Sequence, residues 1–409
     1  MRLNHFIFEN QGNLVNLTTK KVLPKDSSEE NLRANFFLKG QEKEGTDHFL
    51  FGLARERTSF AIDLIPTWEC NLRCNHCFVL HELVKRDPRR LNPELLVGFI
   101  EKLTEKFPSI NSGSIHFVGG EPSLRSEENT EIMKRLRAIN RIKFHFSATS
   151  NGTVLDEKSL EFFSMLDQIT ISLDGPEVIH NAQRKSIDDK ANPFFETVRT
   201  INSLASMGMR EKMSVQASLQ EEFMTKENLI EFYKILLMNG VKFEKIMPGF
   251  ICPTSHNPKV DKEFISVHRR FARTRQCCKY RFMEKFVIDS SNNVYCDYFD
   301  ADGKNMLGSL SDPISKMAEN HERIIRESFS VLNDPKCKQC PVIGLCWGWC
   351  ANTKGLNPSD HCDQELLMRK AKENAAKGNL VNFMRDTRGN DISCGGENEV
   401  CCNKQGLAG

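Results

Sequence analysis

The sequence predicts an α/β fold, an open and partial (β/α)6 barrel followed by a cysteine-rich carboxyl-terminal extension. Two observations support this prediction. After Ser59, short apolar runs alternate with amphipathic stretches of helical period, and this alternation occurs six times before Cys252. Such a pattern is typical of parallel β/α units, because a helix usually makes the crossover between parallel strands. Beyond Cys252 the alternation stops and spaced cysteines follow, which indicates a metal-binding extension.

The elements of the barrel follow from the alternation. The apolar runs predict strands at 61–65, 114–118, 143–148, 168–173, 212–218 and 244–248. The stretches between them predict helices at 92–106, 127–139, 157–165, 194–207 and 226–238. Asn92, which precedes a proline, and Asp156 are residue types that begin helices. In barrels of parallel strands the chemistry lies in the loops after the carboxyl ends of the strands, so functional residues are expected there.

The 409 residues, 39% of them hydrophobic, are enough for more than one domain. In the first segment, apolar residues on both sides of Gly12 predict a hairpin. We favour a hairpin that packs on the barrel at its edge, and the alternative is a docking surface for a peptide strand. The predicted segments are an amino-terminal hairpin or docking segment (1–57), the barrel (58–250), a bridging region (251–335) and a cysteine-rich domain with a tail (336–409).

Composition excludes several classes of function. The 56 basic and 54 acidic residues nearly cancel, whereas nucleic-acid binding usually shows a basic excess. The first residues lack the apolar region of a signal peptide, and no stretch is long and apolar enough to span a membrane. We therefore expect a cytoplasmic protein with neither nucleic-acid nor membrane partners. In that reducing compartment the 15 cysteines are expected to bind metal rather than form disulfides, and to be sensitive to oxygen.

The strongest local signal is the spacing C-x3-C-x2-C formed by Cys70, Cys74 and Cys77, directly after the first predicted strand. Three thiolates on one loop can hold three irons of a cubane 4Fe-4S cluster. The fourth iron then lacks a protein ligand and is open to a substrate or cofactor. A structural zinc site is the alternative, but His76 lies between two of the cysteines and is poorly placed as the fourth ligand.

Polar residues follow the next three strands. Gly119-Gly120-Glu121 allows a close approach of the backbone, and its acidic side chain or a free carbonyl can accept a hydrogen bond from an amino group. The hydroxyl residues from Ser147 onward suit a ribose. Arg184, which follows Ser172-Leu173-Asp174 and His180, suits a carboxylate. Together these loops predict a cavity for a nucleoside that carries amino and carboxylate groups.

The cysteine spacing, followed by Gly119-Gly120-Glu121-Pro122 in a six-unit β/α chain, resembles the radical S-adenosylmethionine (SAM) enzymes over residues 58–250. This resemblance implies a radical SAM barrel in which the open iron binds the amino and carboxylate groups of SAM. It implies that one electron, from a flavodoxin- or ferredoxin-type donor, cleaves SAM to a 5′-deoxyadenosyl radical that abstracts a hydrogen atom. The implied contacts are Gly119, Gly120 and Glu121 with the amino group, Ser147 with the ribose region, Arg184 with the carboxylate and His76 near the adenine.

The second cysteine group has the spacing C-x2-C-x5-C-x3-C, which also fits a zinc ribbon. Combined with the barrel, it resembles the SPASM iron-sulfur extension of radical enzymes that modify peptides and proteins, which implies two auxiliary 4Fe-4S clusters. The implied ligands are Cys337, Cys340, Cys346 and Cys362 for the outer cluster, and Cys278, Cys296 and Cys350 for the inner one. Cys252 and Cys277 are alternatives for a fourth inner ligand, or the inner cluster is open. The pattern expects a glycine where this chain has Ser291.

Asp297 follows Cys296 directly, and a carboxylate beside a cluster is a candidate general base. In the related sulfatase-maturating enzymes an aspartate at this position is the catalytic base. The leading hypothesis is nevertheless an enzyme that crosslinks a ribosomally made peptide, by bonding a side-chain or α carbon to a nearby sulfur, carbon or nitrogen. Against sulfatase maturation, Cys77 is followed by Phe78-Val79-Leu80 rather than by an aromatic-rich continuation.

Two further interpretations remain open. One is peptide epimerisation, in which the tail cysteines Cys394, Cys401 and Cys402 would return a hydrogen atom to a substrate radical. The other is an iron-sulfur sensor without turnover, which the predicted cofactor cavity disfavours. A sensor has no need of an open iron beside Gly119-Gly120-Glu121.

Overall fold

The computed structural model describes residues 3, 7–17, 19, 21–41, 57–77, 90–188, 191–219, 225–242, 245–250, 285–296, 305–328, 335–338, 340 and 364–376. These residues fall into two compact units. The larger unit holds the described residues between 57 and 318, and the smaller unit holds those up to 41 and from 319 onward. Within the described part of the chain, no helix is long and apolar enough to cross a membrane.

The helices and strands are numbered in chain order. The strands are β1 Ile7–Asn10, β2 Asn13–Asn16, β3 Lys21–Pro24, β4 Ser59–Ile65, β5 Leu72–Cys74, β6 Ser112–Phe117, β7 Lys143–Ser150, β8 Gln168–Ser172, β9 Arg184–Ser186, β10 Met213–Leu219, β11 Ile246–Phe250, β12 Lys285–Asp289, β13 Asn293–Tyr295 and β14 Met306–Ser309. The helices are α1 Glu29–Ala34, α2 Pro93–Lys106, α3 Ser126–Arg137, α4 Glu157–Ser164, α5 Glu177–Gln183, α6 Pro193–Ser206, α7 Lys226–Met238, α8 Ile314–Ser328, α9 Pro335–Lys338 and α10 Gln364–Ala376.

In the smaller unit, β1, β2 and β3 form an antiparallel sheet in chain order. The predicted hairpin is β1 and β2, and its turn places Gln11 and Gly12 at positive φ, as a two-residue hairpin turn requires. The third strand and α1 were not predicted. They bring Leu32 and Phe37 against Leu14, which gives this segment a small apolar core.

The larger unit contains an open nine-stranded sheet in the order β11-β10-β8-β7-β6-β4-β12-β13-β14. Its first six strands are the six predicted ones. They lie side by side and parallel, and all predicted strand and helix boundaries of the barrel are confirmed to within two residues. The sequence pattern did not predict that the sheet continues after the alternation stops. Strand β12 pairs in parallel with β4, and β13 and β14 follow it as antiparallel strands.

The two faces of this sheet differ in character. On one face, Phe117 and Phe286 make edge-to-face contacts with Phe162 of α4 and Phe99 of α2, at centroid distances of 5.3 and 5.2 Å. The opposite face carries polar side chains such as His116, which is partly exposed. Asn92 and Asp156 cap α2 and α4 as expected, since their side chains accept hydrogen bonds from the first turns. Packing of the helices on one face therefore leaves the other face free to carry a site.

A second, two-stranded ladder was not predicted from the sequence. Strand β5, which lies inside the C-x3-C-x2-C motif, pairs antiparallel with β9, and Cys74 lies opposite Arg184. Hydrogen bonds from Asn75 N to Gln183 O (2.9 Å) and from Ile187 N to Asn71 O (3.1 Å) extend the pairing at both ends. The ladder therefore fixes the cysteine loop against the segment that follows β8.

Candidate active site

The cysteine loop, residues 70–77, follows β4 at the carboxyl end of the sheet. Cys70, Cys74 and Cys77 are half-buried, and a turn closed by a hydrogen bond from Cys77 N to Cys74 O (3.1 Å) links the last two. Burial raises the pKa of Cys70 to about 12 and that of Cys74 to about 11. Thiols so disfavoured as free thiolates need a cationic partner to ionise, and a metal provides one.

The donors of this loop fit a 4Fe-4S cluster. Among the described residues, no group of three His, Cys, Asp or Glu side chains is placed to hold a single metal ion. Thiolate sulfur is the ligand that iron-sulfur clusters take. N–H groups already point at two of the sulfurs, from Leu72 N to Cys70 Sγ (3.5 Å) and from Arg184 Nη1 to Cys74 Sγ (3.9 Å). Such N–H donors stabilise the negative charge that the sulfurs of a bound cluster carry.

The Gly119-Gly120-Glu121 segment lies directly against the start of the cysteine loop. Gly120 N donates to Thr67 O (3.0 Å) and Glu121 N donates to Glu69 O (2.8 Å). A Cβ atom on Gly120 would lie 2.0 Å from Glu69 O. The predicted close approach to a bound molecule stays a prediction; the structure shows in addition that these glycines permit a close approach to the chain itself.

The carboxylate of Glu121 is almost fully buried, with 1% exposure, and protein donors saturate it. Its Oε1 accepts from Ser123 N (3.0 Å), Ser123 Oγ (2.6 Å) and Ser150 Oγ (2.8 Å). Its Oε2 accepts from Asn151 N (2.7 Å). Burial raises the pKa of Glu121, and the hydrogen bonds offset only part of this effect. Of the two acceptors that the sequence predicted, side chain or carbonyl, the geometry favours the carbonyls.

Ser147 lies within β7 rather than in the loop after it, because the strand continues to Ser150. Its Oγ is hydrogen-bonded to His116 Nδ1 (2.9 Å), and Thr149 Oγ1 is bonded to His116 Nε2 (3.1 Å). At the true end of the strand, Asn151 Nδ2 donates to Asn71 Oδ1 (2.9 Å) and approaches Cys70 Sγ (3.9 Å). Sequence reasoning did not single out Asn151, although it directly follows the predicted run of hydroxyl residues.

Arg184 is 8% exposed and engaged through all three of its nitrogens. Nε and Nη2 donate to the two oxygens of Asp174 (2.7 and 3.0 Å), and Nη1 donates to Cys74 Sγ. Burial raises the pKa of Asp174, but the Arg184 charge and hydrogen bonds outweigh it and hold the pKa below its usual range. The sequence predicted that Arg184 holds a carboxylate; in the structure the carboxylate it holds is that of Asp174.

Two histidines border this ion pair: His180 is buried and His76 is partly buried. His76 Nε2 lies 3.9 Å from Asp174 Oδ2, and its Nδ1 is buried without a hydrogen-bond partner in the described chain. Burial, with the neighbouring Arg184 charge, lowers the pKa of His76. His180 Nδ1 accepts from Asp174 N (3.2 Å), and burial lowers the pKa of His180 to about 3. The unpartnered nitrogen of His76 is therefore available to a ligand beside the cysteine loop.

Of the predicted auxiliary ligands, Cys296 and Cys340 are buried, and the backbone of Cys337 lies in α9. At Ser291, where the family pattern expects glycine, the chain makes a turn in which Asn292 takes the left-handed conformation (φ 65°) and Asp289 accepts the backbone N–H groups of Ser291 and Asn293. The remaining candidates lie outside the described residues: Cys252, Cys277, Cys278, Asp297, Cys346, Cys350, Cys362, Cys394, Cys401 and Cys402.

The strands added to the sheet after β11 also contact the cysteine loop. Val287 of β12 and Tyr295 of β13 form an apolar cluster with Ile65 and Trp68, and Cys77 packs against that cluster. Tyr295 directly precedes Cys296. Its hydroxyl donates to buried Asp289 (3.1 Å), which fixes the end of β13 beneath the loop.

Comparison with known proteins agrees with this geometry. Residues 64–233 match the family model described as the Radical SAM superfamily. A cysteine-type anaerobic sulfatase-maturating enzyme of Clostridium perfringens is 25% identical over 74% of this chain and 92% of its own length. The radical SAM cyclopropyl synthase TigE of Paramaledivibacter caminithermalis is 24% identical over 71% of this chain and 67% of its own length.

Two solved structures share the fold. One is native anSMEcpe with bound AdoMet, with a TM-score of 0.55 and 18% identity over 80% of this chain and all of that chain. The other is Streptococcus suis SuiB bound to precursor peptide SuiA, with a TM-score of 0.51 and 14% identity over 77% of both chains.

Proposed function

Because this chain is a radical SAM enzyme of the SPASM-domain subfamily, we propose that it matures a peptide or protein by oxidising one of its side chains. Its cofactors are SAM and 4Fe-4S clusters, one that binds SAM and auxiliary ones in the extension. The observation that carries the proposal is the half-buried Cys70, Cys74 and Cys77 loop, which hydrogen bonds and close backbone contact hold against Gly119-Gly120-Glu121.

In this proposal Cys70, Cys74 and Cys77 hold the cluster, and the carbonyl oxygens of Gly119 and Gly120 accept from the amino group of SAM. Neither carbonyl accepts a hydrogen bond from the described residues, so both are available. When bound, the cluster and SAM supply a 5′-deoxyadenosyl radical that abstracts a hydrogen atom from the substrate. Glu121 supports the site indirectly, because its carboxylate accepts hydrogen bonds from Ser150 and Asn151 and fixes their positions. His76 offers its neutral ring to the adenine, and the polar strip of His116 and Ser147 faces the ribose side.

The auxiliary ligands keep the assignment that the family resemblance implies. Cys337, Cys340, Cys346 and Cys362 would hold the outer cluster, and Cys278, Cys296 and Cys350 the inner one. Asp297 would take a proton from the substrate, because it follows a buried ligand at the end of β13. A flavodoxin- or ferredoxin-type donor would supply the electron that starts each turnover.

Two substrate classes compete within this proposal. Formylglycine formation on a sulfatase cysteine or serine is favoured by relatives that match about three quarters of this chain and by Asp297 directly after Cys296. Crosslinking of a ribosomally made peptide is supported by TigE, whose name states a cyclopropyl synthase. We place formylglycine formation first, because several relatives named sulfatase-maturating enzymes match this chain.

Mass spectrometry of candidate substrates separates these classes. The anaerobically reconstituted enzyme would be given SAM, dithionite and either a sulfatase peptide, in cysteine and serine forms, or a precursor peptide encoded beside the gene. An aldehyde that reacts with a hydrazide would establish formylglycine formation. Loss of two hydrogens, with fragmentation blocked between two residues, would establish crosslinking. Deuterium uptake from heavy water at unchanged mass would instead indicate epimerisation.

The site assignment has its own test, which does not need the substrate. SAM cleavage to 5′-deoxyadenosine is expected to be abolished in Cys74→Ala and to persist in part in Cys340→Ala, because only the first cysteine is assigned to the SAM-binding cluster. Equal residual cleavage in the two variants would contradict the assignment. No cleavage by the intact, iron-loaded protein would contradict the proposed function as a whole.

A further inference from the structure

We propose that Asp174 and Arg184 form a positioning pair that tunes the reduction potential of the cluster on the cysteine loop, through a hydrogen bond from Arg184 to the sulfur of Cys74. The inference rests on the proposed cluster and goes beyond the roles that the sequence predicts. Neither residue is assigned as a cluster ligand. Their effect is exerted through Cys74, whose sulfur Arg184 contacts.

The geometry of the guanidinium fixes the direction of this contact. Two of its nitrogens are held by the two oxygens of Asp174, and such a bidentate grip defines the plane of the group. The third nitrogen, Nη1, then points at Cys74 Sγ at 3.9 Å. The ladder of β5 and β9 sets the same relation from the backbone, since Cys74 and Arg184 are paired residues. The side-chain hydrogen bonds and the backbone pairing therefore place Arg184 against Cys74 in the same way.

Asp174 is itself held from a third element. Its Oδ1 also accepts from Ser218 N of β10 (2.8 Å), and its side chain is fully buried. In the low dielectric of the protein interior a charged hydrogen bond is stronger than in water, and an unpaired charge lowers the stability of the fold. Arg184 Nη1 is the charged group whose contact with Cys74 Sγ the structure records.

The effect on the cluster has a definite sign. Reduction adds one electron to the cluster from the external reductant, and no bond is formed or broken. A donor to a cluster sulfur stabilises the more negative, reduced form and raises the reduction potential. Loss of the Arg184 contact is therefore expected to make the cluster harder to reduce.

A control arginine lies beside the start of the same loop. Arg125 donates to Oε2 of Glu69 (2.7 Å), the residue before Cys70, and also pairs with Glu128. Its recorded side-chain partners within the described residues are these two carboxylates and no cysteine sulfur. Arg125→Gln thus removes an arginine that supports the loop and leaves the Cys74 contact in place.

The test is an anaerobic redox titration of the full-length holoenzyme, monitored by electron paramagnetic resonance. The cluster on the loop is identified as the signal that changes when SAM is added. In Arg184→Gln the ratio of reduced to oxidised cluster at a fixed potential is expected to fall at least about tenfold, equivalent to about 59 mV for one electron. In Arg184→Lys, which keeps the positive charge but not the planar guanidinium, this ratio is expected to fall less. In Asp174→Glu, which keeps the carboxylate but displaces the guanidinium, the ratio is also expected to fall. Arg125→Gln is expected to match the wild type.

The outcomes separate this inference from the proposed function. A wild-type protein without a SAM-sensitive cluster signal would overturn the proposed function. A normal signal with wild-type potential in Arg184→Gln, or an equal shift in Arg125→Gln, would overturn only the inference. If Arg184→Gln fails to assemble its cluster, Arg184→Lys and Asp174→Glu decide the question. Unchanged potentials in both would also overturn the inference.

Discussion

Two buried carboxylates follow strands of the same sheet that β7 separates, and their hydrogen-bond partners differ in charge. Glu121, after β6, receives hydrogen bonds from neutral donors only, two hydroxyls and two backbone N–H groups. Asp174, after β8, receives a guanidinium. Burial dominates at Glu121 and raises its pKa, whereas the cation prevails at Asp174 and lowers its pKa.

The difference indicates two structural roles. Glu121 ties together the ends of β6 and β7 through its bonds to Ser150 and Asn151. Asp174 orients a cation toward a sulfur. Their contributions to stability also depend on pH with opposite sign. The Asp174 contribution is present above the ordinary carboxyl pKa and is lost as the pH falls through its lowered value. The Glu121 contribution is present below the ordinary pKa and is lost as the pH rises through its raised value.

The largest effect is expected at neither carboxylate but at Gly120, which joins the Glu121 region to the cysteine loop. Gly120→Ala places a methyl 2.0 Å from Glu69 O, so the loop backbone must move. We expect loss of the SAM-sensitive cluster signal and a fall in unfolding free energy of roughly 3 kcal/mol or more. The control is Gly98→Ala in α2, where the methyl meets open space. It should keep the cluster and add about 0.5–1 kcal/mol of stability. Normal cluster assembly in Gly120→Ala would contradict the packing role.

The second-largest effect is expected from removing the charge of Asp174. Asp174→Asn leaves the buried guanidinium of Arg184 without its counter-charge, and we expect a loss of about 3–5 kcal/mol in unfolding free energy. Denaturant unfolding under anaerobic conditions measures it. The double variant Asp174→Asn with Arg184→Met removes both charges and should recover part of the loss. A double variant no more stable than Asp174→Asn alone would show that the pair is not the cause.

Glu121→Gln should cost less, about 1–3 kcal/mol, because it leaves a polar group facing donors but strands no charge. The negative charge of Glu121 also disfavours ionisation of the nearby Cys70. Its removal should therefore raise the reduction potential, opposite in direction to Arg184→Gln. The same unfolding and redox measurements check both statements. A cost equal to that of Asp174→Asn would remove the distinction between the two carboxylates.

The smallest effect concerns His180, which borders Asp174. Its pKa of about 3 means that it stays neutral in the fold while the unfolded chain takes up a proton below about pH 6.5. Stability is therefore present above the unfolded pKa and is lost as the pH falls, by roughly 1 kcal/mol between pH 7.5 and 5.5. Thermal unfolding of the wild type and His180→Gln at both pH values tests this. The variant should lack that part of the pH dependence, and parallel curves would contradict it.

Much of the barrel could be predicted from the sequence, because its strands and helices have local signatures. Apolar runs and amphipathic periods fixed six strands and five helices, and Asn92 and Asp156 marked helix starts by residue type alone. The cysteine spacing likewise specified the cluster chemistry of the family, since consecutive ligands on one loop are a local property. Strands β12, β13 and β14 carried no such signature, being short and outside the alternation.

The partners of the polar residues were decided by tertiary structure. The sequence placed Glu121, Ser147 and Arg184 near one another and predicted a cofactor contact for each, which stays a prediction. It did not predict their protein partners: Glu121 bonds to Ser150 and Asn151, Ser147 to His116, and Arg184 to Asp174 and Cys74. The physical reason is that a buried polar group must find a partner, and that partner lies on another strand at a distance in sequence that no local pattern records. The sequence alone determined the cysteine spacing from which the chemistry of the loop was predicted, and only the fold determined which side chains hold the loop in position.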